Sequence, residues 1–172
     1  MKKTYYLLLF VLLLSAAAKA QTNWVTNNLD DKMSVKFPVV PKKTTTNGID
    51  VYTVRMNDSL AYSATMIDYN VLVHLDSAAI APVKDKQQFA DQLRMGMASK
   101  KTNYTFGAIT IGKWNTYTAY NMSAIENTSK NTLWVQAILI GSKMYTLSCR
   151  VPANMITKNN EVFFASPQLL KK

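Results

Sequence analysis

Residues Thr132 to Val151 read T-L-W-V-Q-A-I-L-I-G-S-K-M-Y-T-L-S-C-R-V, two largely apolar runs separated only by Gly141-Ser142. Each run carries the β-branched and aromatic side chains that suit a pleated, half-buried surface. A two-residue break with Gly first is what a type II′ hairpin turn requires. The stretch therefore predicts an antiparallel hairpin, Thr132–Ile140 with Lys143–Val151. In its first arm Leu133, Val135, Ala137 and Leu139 fall on one face, and Trp134, Ile138 and Ile140 on the other. An arm apolar on both faces is expected to be a central strand covered from both sides.

Working back from this hairpin, Tyr104–Ile111 and Asn115–Ile125 have the same strand character, with breaks at Gly112-Lys113 and Glu126 to Asn131. Connections this short predict a four-strand antiparallel meander. Earlier still, Ile49–Met56 and Leu60–Tyr69 flank Asn57-Asp58, residues that tolerate turn backbone angles, and so predict a second hairpin. Val35 and Phe37 alternate with Ser34 and Lys36 in a first half-buried strand. Pro38 and Pro41 lack the N–H a ladder needs and limit that strand's pairing. Lys42-Lys43 are expected to open a solvated loop.

The period changes between Asp85 and Lys101. Phe89, Leu93 and Met97 fall four apart, predicting an amphipathic helix with one apolar stripe. Asp85 is placed to cap it, with Gln88 three residues on as in a capping box. Asn159-Asn160 can start a short helix carrying Val162, Phe163 and Phe164, ended by Pro167. Helices at mid-chain and at the C-terminus around a mostly antiparallel sheet make an α+β fold, one domain with no linker-like segment and no internal repeat.

The 172-residue chain opens Met1-Lys2-Lys3, runs through apolar Tyr5 to Leu14, and reaches Ala16-Ala17-Ala18-Lys19-Ala20 before Gln21. A charged start, an apolar core and an A-x-A exit are the parts of a secretory signal peptide. The apolar run is shorter than the ~20 residues that cross a hydrocarbon core. Cleavage is expected after Ala20, with Ala18 and Ala20 as the small processing residues and Gln21 as the new N-terminus. Residues 21–172 then form the domain, periplasmic or extracellular, without a transmembrane segment. Losing Lys2, Lys3 and Lys19 lowers the formal charge from +10 to +7. The remaining charge is scattered rather than blocked, so no polybasic arm is formed and nucleic acid is not the expected target.

Catalytic chemistry finds little to work with. His74 is the only imidazole, and no serine lies in a G-x-S-x-G setting. One His and one Cys, 74 and 149, give no zinc-ligand spacing. Asp50, Asp58, Asp68, Asp76 and Asp85 are dispersed without a calcium-loop pattern and read as turn residues and caps. The five glycines form no phosphate-binding loop. Cys149, the single cysteine, is expected to pack as a small apolar residue. No catalytic, cofactor or metal residue is assigned.

Three stretches, S-V-K-F-P-V-V-P at 34 to 41, Y-T-V-R-M with A-Y-S-A-T-M-I-D-Y at 52 to 69, and E-V-F-F-A-S-P-Q-L at 161 to 169, resemble the PsbP-like proteins, named for an extrinsic subunit of photosystem II. The resemblance runs over nearly the whole mature chain, by pattern more than by diagnostic motif. It departs from the family at Pro167, where an aromatic residue fits better. It implies an α/β/α sandwich around a central antiparallel sheet, and a protein that assists a larger assembly rather than catalyses. No functional motif matches, so no site residue is carried over. The expected function is that of an exported noncatalytic binding or accessory protein with an unidentified protein partner. The alternatives are a periplasmic enzyme using dispersed carboxylates and a carrier of a small apolar ligand.

Overall fold

The computed structural model describes residues 24–171; the processing residues Ala18, Ala20 and Gln21 lie outside the described residues. In chain order the strands are β1 (Val25–Asn28), β2 (Met33–Phe37), β3 (Lys42–Thr46), β4 (Ile49–Arg55) and β5 (Ala61–Asp68). Three helices follow, α1 (Tyr69–Val73), α2 (Ser77–Ile80) and α3 (Gln87–Lys100). Then come β6 (Tyr104–Phe106), β7 (Thr110–Trp114), β8 (Tyr117–Glu126), β9 (Thr132–Ile140), β10 (Lys143–Val151), α4 (Asn159–Phe164) and β11 (Gln168–Leu169). The main sheet has the order β3-β4-β5-β10-β9-β8-β6, with β7 also pairing β8; β1, β2 and β11 form a small second sheet. The fold is α+β with antiparallel pairing.

The quoted hairpin forms as its residues dictate. Lys143 pairs with Ile140 across Gly141-Ser142, and Gly141 takes φ +62°, a conformation that costs other L-residues roughly 1–2 kcal/mol. The 49–69 hairpin also forms, closing with Arg55 opposite Ala61 and with Ser59 in the left-handed region.

Four expectations are corrected. First, Tyr104–Ile111 is not one strand. Phe106 pairs with Ala124 and Thr110 with Asn121, so Gly107, Ala108 and Ile109 stand opposite only Met122 and Ser123. The extra residue is a bulge that divides β6 from β7. The turn after β7 is at Asn115-Thr116, not at Gly112-Lys113, because Asn115 accepts φ +51°.

Second, Lys42–Thr46 is an edge strand rather than a loop, exposed at every residue and paired with β4 through Lys42 opposite Thr53. Its threonines suit an extended backbone, and its lysines guard an open sheet edge against a further strand. Third, Asp85 does not cap α3: Lys86 occupies the cap position without a side-chain bond. The Asp85 carboxylate instead accepts from Lys84, from Lys113 Nζ at 3.0 Å and from Thr118 Oγ1 at 2.7 Å. Bonds to ammonium groups are stronger than one to a neutral amide, so the cap loses. Fourth, Ser34 is buried, because β2 is the middle strand of the small sheet, flanked by β1 and β11.

The main sheet carries apolar clusters on both faces. On one face the small sheet and α4 bring Val35, Phe37 and Phe163 onto Tyr62, Ala64, Leu147 and Cys149. Phe163 is the hub, its ring centroid 5.4 Å from Phe37 and 5.2 Å from Tyr62. On the other face α3 lays Phe89, Leu93 and Met97 over Tyr120, Leu133, Val135 and Leu139.

Two polar latches hold these layers. Asp30, in the β1–β2 connection, accepts from Lys143 Nζ at 2.7 Å and Tyr145 Oη at 2.8 Å on β10. The Asp85 group ties the approach to α3 to β7 and β8.

Candidate binding grooves

The two covers are offset across the sheet, and each leaves a different half-face open. Strand alternation and register place Tyr52, Ala64, Leu147, Gln136, Asn121 and Thr110 in one row on the small-sheet side. The row is apolar where the small sheet lies and polar beyond it. The next row runs Val54, Tyr62, Cys149, Trp134, Ser123. Trp134 is 43% exposed although it sits on a central strand. The expectation that β9 is covered on both sides along its length is therefore corrected: Ala137 to Ile140 are buried, but the cover ends before Trp134.

Trp134 and Phe164, with Thr110, Asn121, Ser123 and Gln136, line an open groove of about 320 Å³. Gln136 Nε2 donates to Asn121 Oδ1 at 3.2 Å, which fixes the two amides side by side. Gln136 Oε1 is buried and has no hydrogen-bond partner among the described residues. Leaving such an acceptor unmet costs about 1–3 kcal/mol. The groove thus sets an aromatic platform beside a fixed pair of side-chain amides, an apolar wall with a few polar groups.

On the α3 side the open half-face is the opposite one. Here Arg55, Ala61 and Arg150 form one cross-strand row and Thr53, Ser63 and Ser148 the next. With Lys101 and Tyr104 as the far wall they enclose a second groove of about 400 Å³. Arg150 Nη1 lies 3.7 Å from Glu126 Oε2, and Lys101 Nζ sits 5.8 Å from the Tyr104 ring centroid.

A third surface is α1 with its exit. Val71, Leu72, Val73 and Leu75 are 78%, 53%, 51% and 44% exposed, a contiguous apolar run of the kind that marks contact surfaces.

The residues singled out for chemistry do not converge. His74 is the exposed C-cap of α1 at φ 58°, its amide donating to Asn70 O. Asp68 caps α1 and accepts from Ser142 Oγ, while Asp76 caps α2. Asp50 pairs with Lys43 at 2.7 Å, and Asp58 accepts from the Leu60 amide. Among the described residues no group of three or more His, Cys, Asp or Glu side chains is placed to hold a metal ion. Cys149 is buried in the small-sheet cluster, and that burial pushes its thiol up to about 12. Neither groove was assigned from the sequence, because each is assembled by register from strands far apart in the chain.

No helix among the described residues is long and apolar enough to cross a membrane. No family model and no curated protein matches the chain. A crystal structure from Bacteroides thetaiotaomicron VPI-5482 is similar at 14% identity and a TM-score of 0.47, over 81% of this chain and 46% of that one. This chain thus spans about half the length of that structure, and a likeness at this level carries no argument about function.

Proposed function

We propose that the protein is an exported, noncatalytic binding or accessory domain of PsbP-like, α/β/α sandwich type that docks on a larger assembly of the cell envelope. The observation that carries this reading is Trp134, a large aromatic side chain left exposed near the start of a central strand whose remaining apolar side chains are buried. Exposed tryptophans in concave, partly apolar settings contribute disproportionately to protein–protein affinity. The groove beside it is sized for one or two side chains of a partner, and the Gln136 and Asn121 amides in its lining offer it polar groups. The exposed aliphatic run on α1 offers a second contact at the other end of the sheet.

Crosslinking in the protein's own envelope fraction tests the reading. A single partner is expected to crosslink to the wild-type protein, and Trp134→Ala is expected to abolish that product while the protein stays folded. Turnover of a small substrate by purified protein, with no Trp134-dependent crosslink, would overturn it. Export is tested separately by N-terminal sequencing: a chain beginning at Gln21 is expected, and one beginning at Met1 contradicts it.

A further inference from the structure

The α3-side groove is lined by charge of one sign. Arg55, Lys101 and Arg150 face it, and no carboxylate is among its lining residues. Arg55 on β4 and Arg150 on β10 flank Ala61 on β5, the strand between them. Neighbouring strands stand about 4.8 Å apart, so the two arginines rise from strands about 10 Å apart with only a methyl group between them. That small residue leaves room for both guanidinium groups to turn toward one anion. Beside it, Ser63 and Ser148 are a direct cross-strand pair whose hydroxyls make no hydrogen bond among the described residues. Thr53 extends the hydroxyl row to β4, its Oγ1 engaged only in a long 3.4 Å contact to Lys42 O.

The cations are also poorly neutralised. Among the described residues neither Arg55 nor Lys101 pairs with a carboxylate, and Lys101 meets only the Tyr104 ring. Arg150 reaches Glu126 at 3.7 Å, well beyond the 2.7–2.9 Å of a strong charge-assisted bond. Glu126 is itself committed to Ser129 and, at 2.8 Å, to Asn131 Nδ2. Outside the groove Lys43, Lys84, Lys113 and Lys143 each have an aspartate partner. Arg55 and Lys101 thus lack a carboxylate partner where a concave floor of small hydroxyl residues lies beneath them.

We propose that this groove is a binding site for a tetrahedral oxyanion, the phosphate or sulfate group of a small ligand. Arg55, Arg150 and Lys101 supply the charge, and Ser63 and Ser148 donate to the remaining anion oxygens from below. Guanidinium forks suit such oxygens because two parallel N–H groups can address them at once. The site is on the opposite face of the sheet from the Trp134 groove and does not depend on the function proposed for it.

The test is titration of the isotope-labelled protein with sodium phosphate, sodium sulfate and methyl phosphate, each against sodium chloride at equal ionic strength, read as amide chemical shifts. Saturable shifts centred on Arg55, Ser63, Lys101 and Ser148 are expected. Arg55 and Lys101 are exposed, so the double variant Arg55→Gln/Lys101→Gln keeps the fold, and it is expected to weaken binding about tenfold or more. The charge-matched control Lys158→Gln/Lys171→Gln is expected to leave affinity unchanged. Tighter binding of methyl phosphate than of phosphate assigns the site to an ester, and equal binding to the free ion. Shifts that match those of chloride, fail to saturate, or persist unchanged in the Arg55→Gln/Lys101→Gln protein would overturn the proposal.

Discussion

Replacing Asp30 by Asn should be among the most damaging single-atom changes this fold can suffer. The Asp30 side chain is only 10% exposed and its partner Lys143 only 19%. Four donors converge on the carboxylate: Lys143 Nζ at 2.7 Å, Tyr145 Oη at 2.8 Å, and the amides of Lys32 and Met33 at 2.9 Å. Asn keeps one acceptor, turns the other into a donor facing Nζ or Oη, and removes the charge. Breaking one side of a buried pair typically costs 3–5 kcal/mol, because the surviving charge stays desolvated. Lys143 retains Asp31 Oδ1 at 3.3 Å, so the lower end, about 3 kcal/mol, applies.

The same contacts set a pH dependence. Burial alone would raise the Asp30 carboxyl, but Lys143, the Lys32 amide, Tyr145 and the Met33 amide together hold it below its ordinary 3.8. A carboxyl depressed by folding contributes stability above its unfolded value and loses it as pH falls through the folded one. Denaturant unfolding of Asp30→Asn should therefore give a loss of about 3 kcal/mol at pH 7 that shrinks below pH ~4. The double variant Asp30→Asn/Lys143→Met should be less damaged than the sum of the singles. A loss under about 1 kcal/mol at pH 7, or one unchanged at pH 2, would refute the latch.

Phe163→Ala should cost about 3–5 kcal/mol in the same assay, since its ring joins Phe37 of the small sheet to Tyr62 of the main sheet and is fully buried. Gly141→Ala should cost about 1–2 kcal/mol through its positive φ alone: a Cβ there meets only Ser77 Cβ at 3.8 Å, an ordinary contact. Native protein should resist thiol reagents at pH 8 and react fully in denaturant, because burial keeps the Cys149 sulfur protonated and covered. Rapid labelling of the native state would contradict that packing.

What could be read from the chain alone was local in origin. The β9–β10 hairpin announces itself because its residue types, its period and its two-residue turn all lie within one stretch. The α3 stripe of Phe89, Leu93 and Met97 is equally self-contained, and it packs as its spacing demands. What escaped depends on relations between distant residues. The bulge at Gly107–Ile109 exists only relative to Met122 and Ser123 on β8. Asp85 looks like a cap until Lys113 and Thr118 arrive from another hairpin. β3 has no apolar signal because, as an edge strand, it buries nothing. The exposure of Trp134 follows from where the small sheet and α4 stop, which no period along β9 can register. The cationic groove likewise needs Arg55 and Arg150 to be two strands apart, a fact of register rather than of sequence.

The central claim, that this is a binding domain whose partner seats against Trp134, is tested most directly by crosslinking wild-type and Trp134→Ala proteins side by side in the envelope fraction. Both should show the same thermal unfolding to within about 1 kcal/mol, since Trp134 is 43% exposed. The account predicts one partner adduct with the wild-type protein and none with Trp134→Ala. An adduct of equal yield from both proteins would contradict it.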